Sequence, residues 1–599
     1  MTRRLHSPLL EEVTRIYRAA ASPRDWSKCA VAPHPDLQAK IKAELATLKT
    51  NASDLMRPFL GLSQAPRVGF NDGLTIPGDS LPLGTPPSVA RAVALDRAPL
   101  RGSVRVIVVL VDFSDQQMAN SQQHFRDLFF STGVLPNGSV KEYYTEVTNG
   151  LVTLTGDVVG PLRLPRTMAA YAHGASGTGS VHPNAQDMAL DAATAANPTV
   201  NFAPYDNDGN GFVDAFIVIH AGPGGEVTGN PGHIWSHKWV LPSAYNADGT
   251  QVYAYLTVPE DSRIGVCAHE LGHLLFGWPD LYDTDYSSEG LGNWCLMAGG
   301  SWNGGGDVPA HPSAWCKVNQ AWVSVSNPTT NQQVSIQDVK TGHQVLRLWK
   351  AGGASSEYFL VENRQKALYD RNLPGEGLLV FHVDDTISSN SNEAHPKVAL
   401  EQADGAKNLE SGANRGDAGD PFPGSANNTT FNKTSTPSSK SYAGADTCVA
   451  ITQISPSGGT MTARISVLCL KKIEKEHIKE KPEKDSIKDK REKDFKDVKE
   501  FKEKDKDKFE KPPGEKLVEK PGEGGGGHAA GLPQGDLGAR VAALEAALSS
   551  LEPFIGRELR PDLGTAAAAY ESDLEDVRSQ MLEGTVGAKR LMDTKHPDR

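Results

Sequence analysis

The period of the apolar residues changes along the chain, and the changes mark out its parts. Residues 104–111, VRVIVVLV, are apolar almost throughout and rich in β-branched side chains, then end at Asp112. That is the pattern of a strand buried on both faces. Residues 139–149, SVKEYYTEVTN, predict a helix with Ser139 at its N-cap and Glu142 three positions on, a capping box, stopped by Gly150. LVTLTGDVVG then alternates as a strand, residues 184–197 predict a second helix, and residues 212–220, FVDAFIVIH, predict another buried strand. Strands alternating with helices around one apolar sheet predict an α/β domain, placed at 99–324.

The flanks read differently. Residues 1–98 hold one helical stretch at 35–48 and then a Pro/Gly-rich run, which suits a pro-segment rather than a core. From 325 to 470, short alternating runs (QQVSIQDV, HQVLRLWK, EYFLVENR, GLLVFHVD, TMTARISVL) are separated by Gly, Asn, Asp and Pro clusters. An all-β, sandwich-like module is expected there. Residues 471–530 are a charged tract of Lys, Glu and Asp that ends in the glycines 524–527. Such a tract cannot bury enough surface to offset its ordering entropy, so it reads as a solvated, disordered linker. In 531–599, Leu537, Val541, Leu544, Leu548 and Leu551 recur at heptad spacing, as do Tyr570, Leu574, Val577 and Met581. Two short C-terminal helices are predicted, forming either a small hairpin or a device for oligomerisation or docking.

Composition narrows the classes. A chain of 599 residues needs more than one core, and it contains no apolar stretch of about 18 residues that would span a membrane. The net charge of −12 argues against a nucleic-acid partner. Six cysteines without a CxxC pair suggest neither a zinc ribbon nor a disulfide scaffold, although Cys448 and Cys469 could close a loop. The opening MTRRLHSPLLEEVTRIYR has the charge of a signal peptide without its apolar run, so no conventional export signal is expected from it.

The chemistry is concentrated in VCAHELGHLLFGWPDLYD, which contains H-E-x-x-H at His269, Glu270 and His273. Residues four apart on a helix share a face, so both imidazoles can reach one ion, and Glu270 lies where it can take a proton from a water that the metal activates. Zinc suits two histidines, a third protein ligand and an open position. Ile264, Val266, Leu271, Leu274 and Leu275 surround the pair as a buried helix requires. Gly277 and Pro279 end the helix, and the chain returns with Asp280, the preferred third ligand; Asp283 and Glu289 are the alternatives.

A second metal pattern lies in YDNDGNGFVD. Asp206, Asp208, Asn210 and Asp214, with the carbonyl of Phe212 and the turn at Gly211, match positions of a calcium loop, although Ile217 replaces the closing Glu of an EF-hand. A structural calcium ion is expected there. Residues 414–420, NRGDAGD, could bind another, and the Arg-Gly-Asp triplet within them is too short to signify adhesion by itself. His233 and His237 are four apart without a Glu, which suits the wall of a cleft better than a second metal. Cys29, in the pro-segment-like region, could reach the zinc as a thiolate or be an ordinary buried thiol.

HELGHLLFGWPDLYD followed by LMAGGSWNG resembles the immune inhibitor A-like metallopeptidases, zincins related to the metzincins. The resemblance continues through VVLVDFSDQ, SVKEYYTEVTNG, YDNDGNGFVDAFIVIHAG, IWSHKW, YFLVENRQ, LPGEGLLVFHVDD, LEQADG and NRGDAGDPFPG, and so covers roughly 100–468. It implies a zincin catalytic domain, His269 and His273 as zinc ligands, Glu270 as general base and Met297 in the turn beneath the metal. It also implies a secreted endopeptidase acting on protein substrates. The family spacing is H-E-x-x-H-x-x-G-x-x-D, and here Phe276 is one residue too many before Gly277. An extra helical residue rotates the exit by about 100°, so either a local bulge absorbs it or another carboxylate replaces Asp280. The rival class is a non-catalytic zincin-fold binding protein, against which the intact Glu270 argues; an exopeptidase would need a charged pocket for a substrate terminus.

Overall fold

The computed structural model describes residues 28–51, 100–209 and 211–469, with the backbone alone over 44–51, and these residues fall within one compact unit. The expected linker at 471–530, the helices expected at 531–599 and most of the segment 1–98 lie outside the described residues. The architecture is mixed α/β with three sheets.

The first sheet has six strands. β1 is Cys29–Ala30, β2 Gly102–Asp112, β3 Val152–Arg163, β4 Phe216–His220, β5 His237–Ala247 and β6 Thr250–Pro259, in the order β1-β5-β6-β4-β2-β3. β2 lies parallel to β3 and β4, and β4 parallel to β6, whereas β5 runs antiparallel to β6 and β1 antiparallel to β5. The continuous apolar runs are central strands, as a sheet covered on both faces requires: β4 is buried at all five positions and β2 from Val106 to Val111. β4 starts at Phe216 rather than at 212, because the preceding residues form the acidic loop, where the Asp214 carboxylate accepts the Asn207 side-chain amide at 3.0 Å.

The helices are α1 (Pro35–Asn51), α2 (Gln122–Phe130), α3 (Val140–Val147), α4 (Met168–Ala172), α5 (Ala185–Ala196), α6 (Gly225–Thr228), α7 (Ile264–Phe276), α8 (Ala314–Asn319) and α9 (Val339–Gly342). Ser139 caps α3 by accepting from the Glu142 amide, but the return half of the expected capping box does not form. The Glu142 carboxylate accepts from the Gly133 amide of the preceding loop instead, at 3.1 Å. A complete box stands at α5, between Asn184 and Asp187.

Five further strands, β7 (Ser324–Ser326), β9 (Gln344–Leu348), β10 (Glu357–Arg364), β11 (Gly377–Asp384) and β12 (Val398–Leu400), make a sheet in the order β12-β11-β10-β9-β7. β8 (Gln332–Gln337), β13 (Ala450–Thr452) and β14 (Thr460–Ser466) make the third, in the order β13-β14-β8. The period of two along β10 and β11 divides their side chains between two cores. Phe359, Val361, Leu378 and Val380 pack with Ile336, Met461, Ala463 and Ile465 of the third sheet. Leu360, Leu379, Phe381 and Val383 belong to the core that also contains β2, β4, β6 and α7. One face of the five-stranded sheet is therefore covered by the first sheet and α7. Cys448 and Cys469 are joined by a disulfide that brackets β13 and β14.

Charge also crosses this junction. Lys317 of α8 pairs with Glu362 of β10 at 2.8 Å, and Glu362 pairs with Arg364 at 3.0 Å. The Arg364 guanidinium grips Asp370 through two nitrogens. Glu362, Arg364 and Asp370 have wholly buried side chains. Burial pushes the Glu362 carboxyl up, but the Lys317 and Arg364 charges outweigh it and hold it below the usual range. Removing one member leaves the others buried and uncompensated, so Glu362→Ala is expected to destabilise the fold by about 3–5 kcal/mol in denaturant unfolding. A loss under about 1 kcal/mol would show that the group is relaxed by water.

Candidate active site

All thirteen residues of α7 are buried, including His269, Glu270 and His273. Such a helix holds polar side chains only if its surroundings satisfy them. Two glycines let the segment 296–301 approach it closely. A Cβ at Gly265 would lie 1.8 Å from the Ser301 carbonyl oxygen, and one at Gly272 would lie 2.7 Å from the Met297 sulfur. Both positions are about one turn of helix from His269 on the same side, so the segment 296–301 is pressed against the histidines because two side chains are missing.

The same segment orients the rings. His269 Nδ1 faces the Leu296 carbonyl oxygen at 2.9 Å, and His273 Nδ1 faces that of Trp278 at 2.6 Å. A carbonyl can only accept, so each Nδ1 carries the proton and each Nε2 presents a lone pair. The two Nε2 atoms lie 3.0 Å apart, and Asp280 Oδ1 lies 3.0 Å from one and 3.1 Å from the other. All three side chains are fully buried. Burial raises the Asp280 carboxyl, but His273 and His269 outweigh it, so it sits below its ordinary value; burial lowers His273. Three acceptors thus converge without a hydrogen to share. A cation is what such a set lacks, and the spacing fits a tetrahedral zinc site, whose ligands are about 3.3 Å apart when bonds are about 2.0–2.1 Å.

Glu270 lies next to the cluster. Neither carboxylate oxygen has a partner at hydrogen-bonding geometry. Burial, and then the Asp280 and Glu226 charges, push its carboxyl well above the ordinary value, while the amides of Val31 and Lys238 oppose this more weakly.

Phe276 is absorbed without a bulge. α7 continues regularly through Phe276 and ends at Gly277, whose φ of 64° is left-handed, with the Trp278 amide returning to the Gly272 carbonyl at 3.3 Å. The added ring has its own niche, with centroids 5.2 Å from Trp278, 4.8 Å from Trp322 and 5.3 Å from Tyr144. The two alternative carboxylates are engaged elsewhere. Asp283 accepts from Ser287 and Ser288, and Glu289 accepts from Gln38 and pairs with Lys42.

His237 stands apart from the cluster, with Nδ1 on the Trp235 carbonyl and Nε2 2.9 Å from the Tyr255 hydroxyl, and His233 bonds to Thr228. In the acidic loop, carboxylate oxygens of Asp206, Asp208 and Asp214 lie within 4.8 Å of one another. Asp206 also accepts from the Gly209 and Gly211 amides. Asn210 lies outside the described residues, and Phe212 forms an isolated bridge with Gln251. Asp417 and Asp420 of the loop 414–420 are joined by Asp404, which the sequence reading of that loop left out, again within 4.8 Å. Spacing could not find Asp404, since it sits thirteen residues upstream of Asp417 across a turn. The orienting carbonyls of Leu296 and Trp278 were equally hidden, because any residue supplies a carbonyl.

The mixed α/β fold and the buried cluster of His269, His273 and Asp280 are the parts that a metallopeptidase catalytic domain requires. Residues 101–327 match the immune inhibitor A peptidase M6 catalytic domain. It is 29% identical to the pre-pro-metalloprotease PrtV of two Vibrio cholerae serotype O1 strains, over 44% of this chain and 34% of PrtV. It is 32% identical to immune inhibitor A of Bacillus thuringiensis subsp. alesti, over 33% of this chain and 36% of that protein. The chain thus spans about a third of the length of the curated relatives it matches.

If the three acceptors are the ligand set, Asp280→Ala loses most of the bound zinc, whereas Asp283→Ala loses far less, as read by metal analysis of the dialysed proteins. Equal retention in both variants contradicts the assignment.

Proposed function

We propose that the chain is a zinc-dependent endopeptidase that cleaves proteins outside the cell. The observation that carries this reading is the convergence of His269 Nε2, His273 Nε2 and Asp280 Oδ1 at 3.0–3.1 Å beside an unpartnered Glu270. His269, His273 and Asp280 hold the metal, with Met297 packed beneath them. Zinc, when bound, supplies Lewis acidity toward the scissile carbonyl and toward water. Glu270 is the general base: its carboxylate takes the proton of the attacking water and returns it to the leaving amine. The carbonyls of Leu296 and Trp278 keep both imidazoles in the binding tautomer throughout.

The Cys448–Cys469 disulfide favours an oxidising compartment. Among the described residues no helix is long and apolar enough to cross a membrane. Residues 1–98 serve as a pro-segment, 99–324 as a zincin domain and 325–470 as its β-sandwich companion; the charged tract 471–530 and the tail 531–599 are dispensable for the chemistry. The loop at Asp206, Asp208, Asn210, Phe212 and Asp214 holds a structural calcium ion.

Digestion of casein by the purified chain, before and after brief trypsin treatment that is then quenched, tests the reading. Chelation abolishes the activity and zinc restores it. Glu270→Gln keeps one zinc per chain but loses at least about a hundredfold in rate, since the amide cannot accept the proton. Turnover close to that of the unaltered protein removes Glu270 from its role. Calcium raises the thermal midpoint by binding the native state, and Asp208→Ala abolishes that gain. A calcium shift identical in both proteins argues that the loop at 206–214 is not the site.

A further inference from the structure

The segment upstream of the catalytic part lies in the site. β1 pairs with β5, Cys29 opposite Lys238 and Ala30 opposite His237. From its last residue onward, three aromatic side chains from separate stretches of the chain hold three consecutive carbonyls. The Tyr282 hydroxyl donates to Ala30, Trp235 Nε1 to Val31 and Trp302 Nε1 to Ala32, each at 2.9 Å. Cys29 and Val31 are fully buried. The Cys29 sulfur, a His273 ring nitrogen and an Asp280 carboxylate oxygen lie within 4.8 Å of one another, and Cys29 is in no disulfide. The unpartnered oxygens of Glu270 are buried beside the same cluster.

We propose that Cys29 binds the zinc as a fourth, thiolate ligand and that residues 28–32 thereby hold the chain latent, an inference that rests on the zinc reading above. A zinc hydrolase needs one coordination position left open. The thiolate fills it; the zinc–sulfur bond forms as the thiol proton passes to solvent, and release is the reverse, so no oxidant or reductant is required. Sulfur is a good zinc ligand, and tethering gives it an effective concentration that free substrate cannot match. The same stretch covers β5, the edge to which an extended peptide would add as a strand. One segment therefore blocks both the metal and the peptide-binding edge. α1 fastens it further, through Gln38 and Lys42 on Glu289. Opening the site requires this segment to leave, which a cut anywhere in the stretch 52–99 between α1 and the first long strand permits.

Zinc-edge X-ray absorption of the full, uncut chain tests the coordination directly. The expected spectrum has one sulfur at about 2.3 Å among nitrogen and oxygen scatterers. In Cys29→Ser the sulfur shell is gone while zinc remains at one per chain. The uncut Cys29→Ser chain then digests casein at least about tenfold faster than the uncut parent, because its substitute ligand is weaker. Stoichiometric zinc with only nitrogen and oxygen neighbours in the uncut parent overturns the proposal and leaves the zinc reading intact. Absence of zinc from the parent overturns both. Should Cys29→Ser fail to fold, the parent spectrum alone decides.

Discussion

The structure depends on a helix that has no side facing water. α7 carries two imidazoles and a carboxylate in a place where unpaired polar groups are expensive, and its neighbours meet both the imidazoles and its backbone. Two backbone carbonyls take the Nδ1 protons, Tyr144 donates its hydroxyl to the Ala268 carbonyl at 2.6 Å, and Asp280 returns from the turn to complete the acceptor set. At the centre stand His269 Nε2, His273 Nε2 and Asp280 Oδ1, with the buried Glu270 carboxylate beside them. The packing around Gly265 and Gly272 makes this a rigid arrangement, since the segment supplying one of the carbonyls cannot retreat without opening a void.

Much of this was legible in the sequence, for a physical reason. Helical period and the H-E-x-x-H spacing place His269, Glu270 and His273 on α7, and continuous apolar runs gave β2 and β4 to within a few residues because central strands tolerate little else. Asp280 was legible as a candidate but not as a choice, since the extra Phe276 left its direction open. The outcome turns on aromatic packing with Tyr144, Trp278 and Trp322, which no spacing reveals. Backbone donors and acceptors were invisible throughout, and so was the half-formed capping box at Ser139, where a loop amide competed for Glu142. The site is thus easiest to read where side chains carry it and hardest where the main chain does.

The β-module does more than follow the catalytic part. Its loop around Arg415 supplies a carbonyl to the Asn293 amide at 2.8 Å, and Asp420 accepts the Trp294 indole at 2.9 Å. These contacts bear on residues 293–294, a few positions before the Leu296 carbonyl that orients His269. Alterations in the module can therefore reach His269 through a short, continuous stretch of backbone.

The five-stranded sheet, whose side chains serve two cores, also constrains how the protein is made. During synthesis the residues of α7 leave the ribosome a hundred residues before β11, so the face that Leu379 and Phe381 will cover stays bare while the chain lengthens. A nascent catalytic part with an uncovered apolar face is open to wrong partners. Residues on both sides of position 324 thus share one core, and that core is complete only after the later strands have been made.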